Sequence, residues 1–179
     1  SFSHTVSSGS NRMLVVIVHG MNGQVGDNPF DIDNVTFNNV IMTKQIENDS
    51  DSNNRNYATA IFTLLNPDIA TANVTVTLGE SVDDHVASAM TFTGVDDSTP
   101  VGEIIGNDTA GTPASLLSIT DTTTYDRSIL VGGALRRNLG GANNYQVRPV
   151  HLDTPGKETY SERTSSTDTD TAFNASGGF

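Results

Sequence analysis

Residues 13–18, MLVVIV, decide the fold class of this chain. All six residues are apolar, several are β-branched, and the run is too short for a buried helix. Such a composition is typical of a central β-strand that is covered by protein on both faces. We therefore predict that MLVVIV lies in the middle of a sheet, with other elements packed above and below it.

Alternating stretches on either side predict strands that are buried on one face. In SFSHTV, residues 1–6, the larger residues Phe2, His4 and Val6 alternate with small polar residues, as expected of a half-buried strand. NVTVTL, residues 73–78, alternates in the same way. In VTFNNVIM, residues 35–42, the pair Asn-Asn predicts a two-residue hairpin turn, because asparagine tolerates the left-handed conformation.

The rest of the chain predicts further short strands and no helix. RSILVGGAL, YQVRPVHL and KETYSERT read as strands, whereas ENDSDSNNRN, residues 47–56, reads as a loop. Apolar residues nowhere recur with helical spacing over a helical length. We predict an all-β, jelly-roll-like sandwich of about nine or ten strands. It forms a single domain over residues 1–179, with 1–10 as an extended donor strand and linker and 164–179 as a weakly structured segment.

The charge balance excludes several classes of partner. Nine basic and 21 acidic residues give a net charge of −12, which repels nucleic-acid phosphates and anionic membranes. No apolar run approaches the roughly 20 residues of a membrane-spanning helix. Ser, Thr, Asn and Gly are abundant, as is common in secreted β proteins, and the first residue is not Met. We therefore expect an extracellular protein whose signal peptide has been removed.

No catalytic constellation is visible in the sequence. The four histidines lie far apart without zinc-ligand spacing, and there is no nucleophile turn, phosphate loop or dinucleotide fingerprint. With no cysteine, neither a disulfide framework nor a thiolate site can form. We therefore predict that the protein is not an enzyme and needs no cofactor other than, at most, calcium.

Two kinds of surface site are candidates. Asp49, Asp51 and Asn53 begin like a calcium loop, but Asn54 and Ala60 stand where such a loop needs Gly and Glu. Solvated turn aspartates are the alternative interpretation. Glycosylation sequons occur about as often as chance gives, and Asn48 and Asn107 are the candidates placed in predicted loops.

Several stretches resemble a known group of proteins. SHTVSSGSNRMLVVIV, VTFNNVIMT, AIFTLLNPDIATANVTVTL and ASAMTFTGVDDSTPVG are similar, in order and spacing, to secreted jelly-roll-like β-sandwich modules of mostly unknown function. Such modules occur in extracellular filament and appendage subunits. The likeness covers about residues 3–105. It implies a fold and an extracellular setting, and it implies no activity.

Two functions follow as hypotheses. In the first, the chain is a subunit of an extracellular filament, a homopolymer in which Phe2, His4 and Val6 of one copy complete the sheet of the next. Pairing of SFSHTV within its own sheet is the competing interpretation, and TAFNASGGF is then the next candidate donor. In the second, the chain is a carbohydrate- or surface-binding module of an adhesin or a viral appendage. The low aromatic content argues against sugar binding.

Overall fold

The computed structural model describes residues 1–22, 31–52, 55–102, 104–108, 116–123, 129–138, 143–151, 156–163 and 168–176. This part of the chain consists of β-strands, turns and irregular segments, and it contains no helix able to cross a membrane. The strands of the first half are β1 Phe2–Thr5, β2 Met13–Asn22, β3 Asn34–Phe37, β4 Val40–Ile41, β5 Thr43–Ser52, β6 Arg55–Leu65, β7 Thr71–Thr77 and β8 Asp84–Phe92. The later strands are β9 Ile104–Asp108, β10 Leu116–Thr123, β11 Ile129–Asn138, β12 Asn143–His151, β13 Gly156–Arg163 and β14 Asp168–Ser176.

Three antiparallel sheets of four strands make up most of the fold. Sheet A has the order β1-β7-β3-β4, sheet B the order β5-β6-β2-β8, and sheet C the order β12-β11-β14-β9. Strands β10 and β13 form a separate pair. Sheets A and B form the sandwich, and most connections between β1 and β8 cross from one sheet to the other. This arrangement confirms the predicted all-β sandwich.

Strand β2, which contains MLVVIV, lies between β6 and β8 and is buried along its whole length. Alternate residues of a strand point to opposite faces. The even-numbered residues Leu14, Val16 and Val18 face sheet A, and the odd-numbered residues face sheet C. The prediction of a central strand covered on both faces is therefore confirmed.

The A–B interface, between sheets A and B, is a continuous apolar core. Its buried members are Val6, Leu14, Val16, Val18, Ile32, Val35, Phe37, Met42, Ala58, Ala60, Phe62 and Val74. Strands from both sheets contribute in alternation, as in other aligned sandwiches. Burial of this set supplies the main hydrophobic stabilisation of the sandwich.

The B–C interface lies on the other face of sheet B. Its buried apolar members are Met13, Val15, Ile17, Ile61, Val95 and Val131. Glycines bring the two sheets close together: a Cβ at Gly133 of β11 would lie 2.6 Å from Cγ2 of Ile17, and one at Gly106 of β9 would collide with the Asn48 side chain. The backbone of sheet C therefore packs directly on side chains of the sandwich.

The local predictions have mixed outcomes. Asn38 and Asn39 have φ values of 48° and 63° and form the turn between β3 and β4, which confirms the predicted hairpin. The interpretation of residues 47–56 as a loop is wrong, because β5 extends to Ser52 and β6 begins at Arg55. An edge strand with a polar composition lacks the apolar alternation that identifies strands in sequence.

Candidate functional site

Strand β1 is an edge strand of sheet A and pairs only with β7 among the described strands. The register places Phe2 opposite Val74 and Thr5 opposite Thr71, and the Val6 amide donates to the Ala70 carbonyl at 2.9 Å. In a single chain, SFSHTV therefore pairs within its own sheet. This was the competing interpretation of the sequence.

Three side chains of this segment fasten it to the sandwich. Val6 is 1% exposed and belongs to the A–B core, and Phe2 packs against the same core. The imidazole of His4 bonds through Nε2 to Thr91 Oγ1 of β8 at 2.8 Å and meets the Phe37 ring edge-on. Partial burial lowers the pKa of His4 below its usual value. The predicted interface residues Phe2, His4 and Val6 thus pack against strands of both sheet A and sheet B.

The linker between β1 and β2 is fixed over most of its length. The carbonyls of Ser10 and Asn11 accept hydrogen bonds from the amides of Gly94 and Val95. Arg12 donates through Nε to the Pro67 carbonyl at 3.1 Å and through its guanidinium to the Gly9 carbonyl. Among the described contacts, Ser7 and Ser8 are the exposed linker residues that make no such bond.

The opposite edge of sheet A exposes apolar side chains. Val40 and Ile41 of β4 are 46% and 70% exposed. A shallow cavity of 170 Å³ opens beside them, between Phe37, Leu64 and Leu65. This edge is a surface through which whole sandwiches could pack laterally, without any exchange of strands.

A cluster of carboxylates lies beside the A–B interface. Asp31, Glu47 and Asp49 place one oxygen each within 4.8 Å of one another. Glu47 accepts a hydrogen bond from the Ile32 amide at 2.7 Å and pairs with the Lys44 ammonium. Burial raises the pKa of Asp49 to about 6, and the negative charges of Glu47 and Asp31 add to this effect.

The cluster differs from the predicted calcium loop. Asp49 is shared, but its neighbours are Glu47, two residues earlier in the same strand, and Asp31 from the segment before β3. Asp51 lies in β5 with a side chain outside the described part, and Asn53 lies outside the described residues. The three carboxylates are a partial ligand set for calcium, which takes six to eight oxygens. The signal available in the sequence was the spacing of Glu47 and Asp49, because residues two apart in a strand point to the same face.

Both candidate glycosylation residues lie in strands rather than in the expected loops. Asn48 is in β5, where its side chain packs against Gly106 of β9. A glycan on Asn48 would require sheet C to move away. Asn107 is in β9, opposite Phe173 of β14, and its side chain is outside the described part.

The second candidate donor segment also has a place in the fold. Residues Asp168–Ser176 form β14, which pairs with β11 on one side and with β9 on the other. A strand in the interior of a sheet would lose two ladders of hydrogen bonds on leaving it. Strand β1 would lose one, and it is therefore the better candidate for exchange.

No family of proteins matches the sequence, no curated protein matches it, and no solved structure matches the fold. The resemblance to secreted jelly-roll-like modules therefore stays a prediction.

Proposed function

We propose that this chain is a structural subunit of an extracellular filament, in which neighbouring copies exchange strand β1. The observation that carries the proposal is the position of β1. This strand is held by one ladder of hydrogen bonds at the edge of sheet A, yet Phe2 and the following Val6 pack in the A–B core. An edge strand of this kind can be supplied by the same chain or by a neighbour.

The contacts that a neighbouring copy would make are the contacts already described. β1 of a second copy would find the same register along β7, the same core contacts for its apolar residues, and the same Thr91 partner for His4. Exchange of β1 therefore leaves the hydrogen bonds and the apolar contacts of the strand almost unchanged. The equilibrium between the two arrangements depends on the hinge at Ser7 and Ser8 and on protein concentration.

Head-to-tail exchange produces an open chain of copies. If each copy gives β1 to the next and receives β1 from the previous one, the assembly has no natural end and grows into a fibre. Reciprocal exchange between two copies would close into a dimer instead. The acidic surface keeps such fibres from collapsing into aggregates, because like charges repel.

A disulfide that locks β1 within its own chain tests the proposal. Ser3 and Asn73 are exposed and directly opposite each other in the β1–β7 ladder, and the chain has no other cysteine. Oxidised Ser3→Cys/Asn73→Cys protein should stay monomeric at concentrations at which the wild type assembles. Reduction should restore assembly. Size-exclusion chromatography and negative-stain microscopy give the readout.

A matched pair within the same sheet is the control. Thr36→Cys/Thr75→Cys joins β3 to β7 and leaves β1 untouched, so its oxidised form should assemble normally. In a mixture of single Ser3→Cys and Asn73→Cys chains, disulfides that join position 3 of one chain to position 73 of another should predominate only when β1 passes between copies. Unchanged assembly of the locked protein would refute exchange and favour lateral packing at the Val40–Ile41 edge.

Deleting residues 1–6 gives an independent measurement. The truncated chain should be soluble and unable to polymerise. A synthetic SFSHTV peptide should raise its melting temperature by pairing with β7 in place of the deleted strand. A wild-type protein that remains monomeric at every concentration would contradict the filament proposal. It would favour the alternative function of a carbohydrate- or surface-binding module.

A further inference from the structure

His19 is a buried ionisable group at the B–C interface. It lies in β2, is 0% exposed, and faces sheet C with the other odd-numbered residues of this strand. Its Nδ1 bonds to Thr59 Oγ1 of β6 at 2.9 Å. Its Nε2 has no hydrogen-bond partner among the described residues. A neutral imidazole tolerates this environment, and an imidazolium would need a second acceptor.

Strand β11 passes directly over the ring. A Cβ added at Gly133 would lie 2.9 Å from Cε1 and 3.1 Å from Nε2 of His19. The backbone of sheet C therefore packs against the imidazole ring, and the contact leaves no space for a side chain at residue 133. Any rearrangement that hydrates Nε2 on this side must move β11 away.

Among the charged and titratable groups on the surrounding strands, none is described as an opposite charge in contact with His19. Tyr57 of β6 is two residues from Thr59, and Asp84 of β8 is exposed and pairs with Met21. Other such groups, placed by strand and sequence alone, are His85 of β8, Arg55 of β6, Lys44, Glu47, Asp49 and Asp51 of β5, Asp108 of β9, Arg136 and Arg137 of β11, Arg148 and His151 of β12, and Asp168 and Asp170 of β14. Glu47 and Asp49 meet Asp31 at the edge of the A–B interface, on the opposite face of sheet B.

We propose that His19 is an acid-sensitive joint, at which uptake of a proton by Nε2 separates sheet C from the sandwich. The proton comes from solvent, and the resulting positive charge is buried against the backbone of β11 without an acceptor among the described residues. Separation relieves this by letting water reach Nε2. Burial lowers the pKa of His19 to about 4, so the joint is closed at neutral pH and opens in acid.

Opening would leave the A–B core in place. Sheet C would expose its contact face together with Met13, Val15 and Ile17 of β2, whereas the even-numbered residues of β2 would stay under sheet A. The inference is independent of strand exchange, because β1 lies in sheet A.

Hydrogen exchange across a pH series tests the joint. Between pH 7 and pH 4, the protection of the β11 amides, corrected for the intrinsic rate, should fall at least tenfold. The β7 amides of sheet A should keep their protection. In His19→Asn, which retains a polar group near Thr59, β11 protection should be the same at both pH values. His85→Gln, at an exposed site, should behave as wild type.

A second variant covers the case in which His19→Asn does not fold. Gly133→Ala crowds the ring and Ile17, so it should loosen the contact and raise the pH at which β11 opens. An unchanged opening pH in Gly133→Ala, or acid opening that persists in His19→Asn, would overturn the proposal. Full protection of wild-type β11 at pH 4 would overturn it as well.

Discussion

The two faces of strand β2 show how one strand can support two interfaces of different character. Its even-numbered residues Leu14, Val16 and Val18 enter the A–B interface and are apolar, whereas Asn22, at the end of the strand, is buried and polar. Its odd-numbered residues enter the B–C interface, which includes His19 and Thr59 besides apolar residues. Close packing of apolar groups is insensitive to pH, whereas a buried polar pair depends on its protonation state. The comparison predicts that the A–B interface is the more robust of the two.

The largest expected effect is in the A–B interface. Phe37 is 1% exposed and packs with both sheets and with the His4 ring. Phe37→Ala should lower the free energy of unfolding by about 3–5 kcal/mol, because a cavity of this size collapses only in part. Chemical denaturation measures the loss. Ile41→Ala, in the same hairpin but 70% exposed, should stay within about 0.5 kcal/mol of wild type.

A smaller effect is expected in the B–C interface. Thr59→Val removes the hydroxyl that partners Nδ1 of His19 and leaves a second ring nitrogen without a bond. The cost should be about 1–3 kcal/mol, measured by denaturation at pH 7. Thr59→Ser keeps the hydroxyl and should recover most of this loss. A loss in Thr59→Ser that exceeds the loss in Thr59→Val would show that the methyl group, rather than the hydrogen bond, matters.

The carboxylate cluster at the edge of the A–B interface should make stability depend on pH in a particular direction. The pKa of Asp49 is raised from 3.8 to about 6, so the folded state favours the neutral carboxyl. Its contribution is fully present below pH 3.8 and is lost as the pH rises through 6. Because Asp49 is half-exposed, solvent screening limits this contribution to about 1 kcal/mol.

Asp49→Asn isolates that contribution. The variant should be more stable than wild type at pH 7.5, and the difference should disappear near pH 4. Melting temperatures of both proteins from pH 4 to pH 8 give the measurement. The difference between the two melting temperatures cancels the pH dependence that His19 contributes to both proteins below pH 6.5, which has the opposite sign. A difference that is constant with pH would show that the pKa of Asp49 is the same in the folded and unfolded states.

The smallest expected effect is that of calcium. If the ion binds the three carboxylates at pH 7.5, it should raise the melting temperature by about 2–4 °C, and a chelator should reverse the shift. Asp49→Asn should abolish the response. Asp97→Asn, at an exposed site away from the cluster, should keep it. No response in the wild type would show that Asp31, Glu47 and Asp49 do not bind calcium.

Sequence predicts this fold best where one physical requirement acts alone. MLVVIV must be buried on both faces, Asn38-Asn39 must adopt positive φ, and SFSHTV must present one apolar face. Each of these requirements leaves a local pattern, and each was identified. Leu14 lies in MLVVIV, Phe37 precedes the Asn38-Asn39 turn and Val74 lies in NVTVTL, and all three are buried.

The sequence was least informative where the fold brings distant residues together. Asp31 and Asp49 are neighbours only because the segment before β3 lies against edge strand β5. Residues 47–52 of strand β5 are polar because they contact Asp31 on one face and a glycine of sheet C on the other. They therefore lack the apolar alternation of a strand and were interpreted as a loop. Neither partner is visible in the local pattern of ENDSDSNNRN.

The register of β1 also has a consequence for the timing of folding during synthesis. Phe2 pairs with Val74, so the two ends of this ladder are 74 − 2 = 72 residues apart in the chain. At about 5–20 residues per second, β1 exists for roughly 4–14 seconds before its own β7 has been made. During this interval the segment SFSHTV has no ladder in its own chain. If neighbouring copies exchange β1 as proposed, the choice between pairing within the chain and pairing with a neighbour then depends on the concentration of completed copies nearby as well as on the final energies.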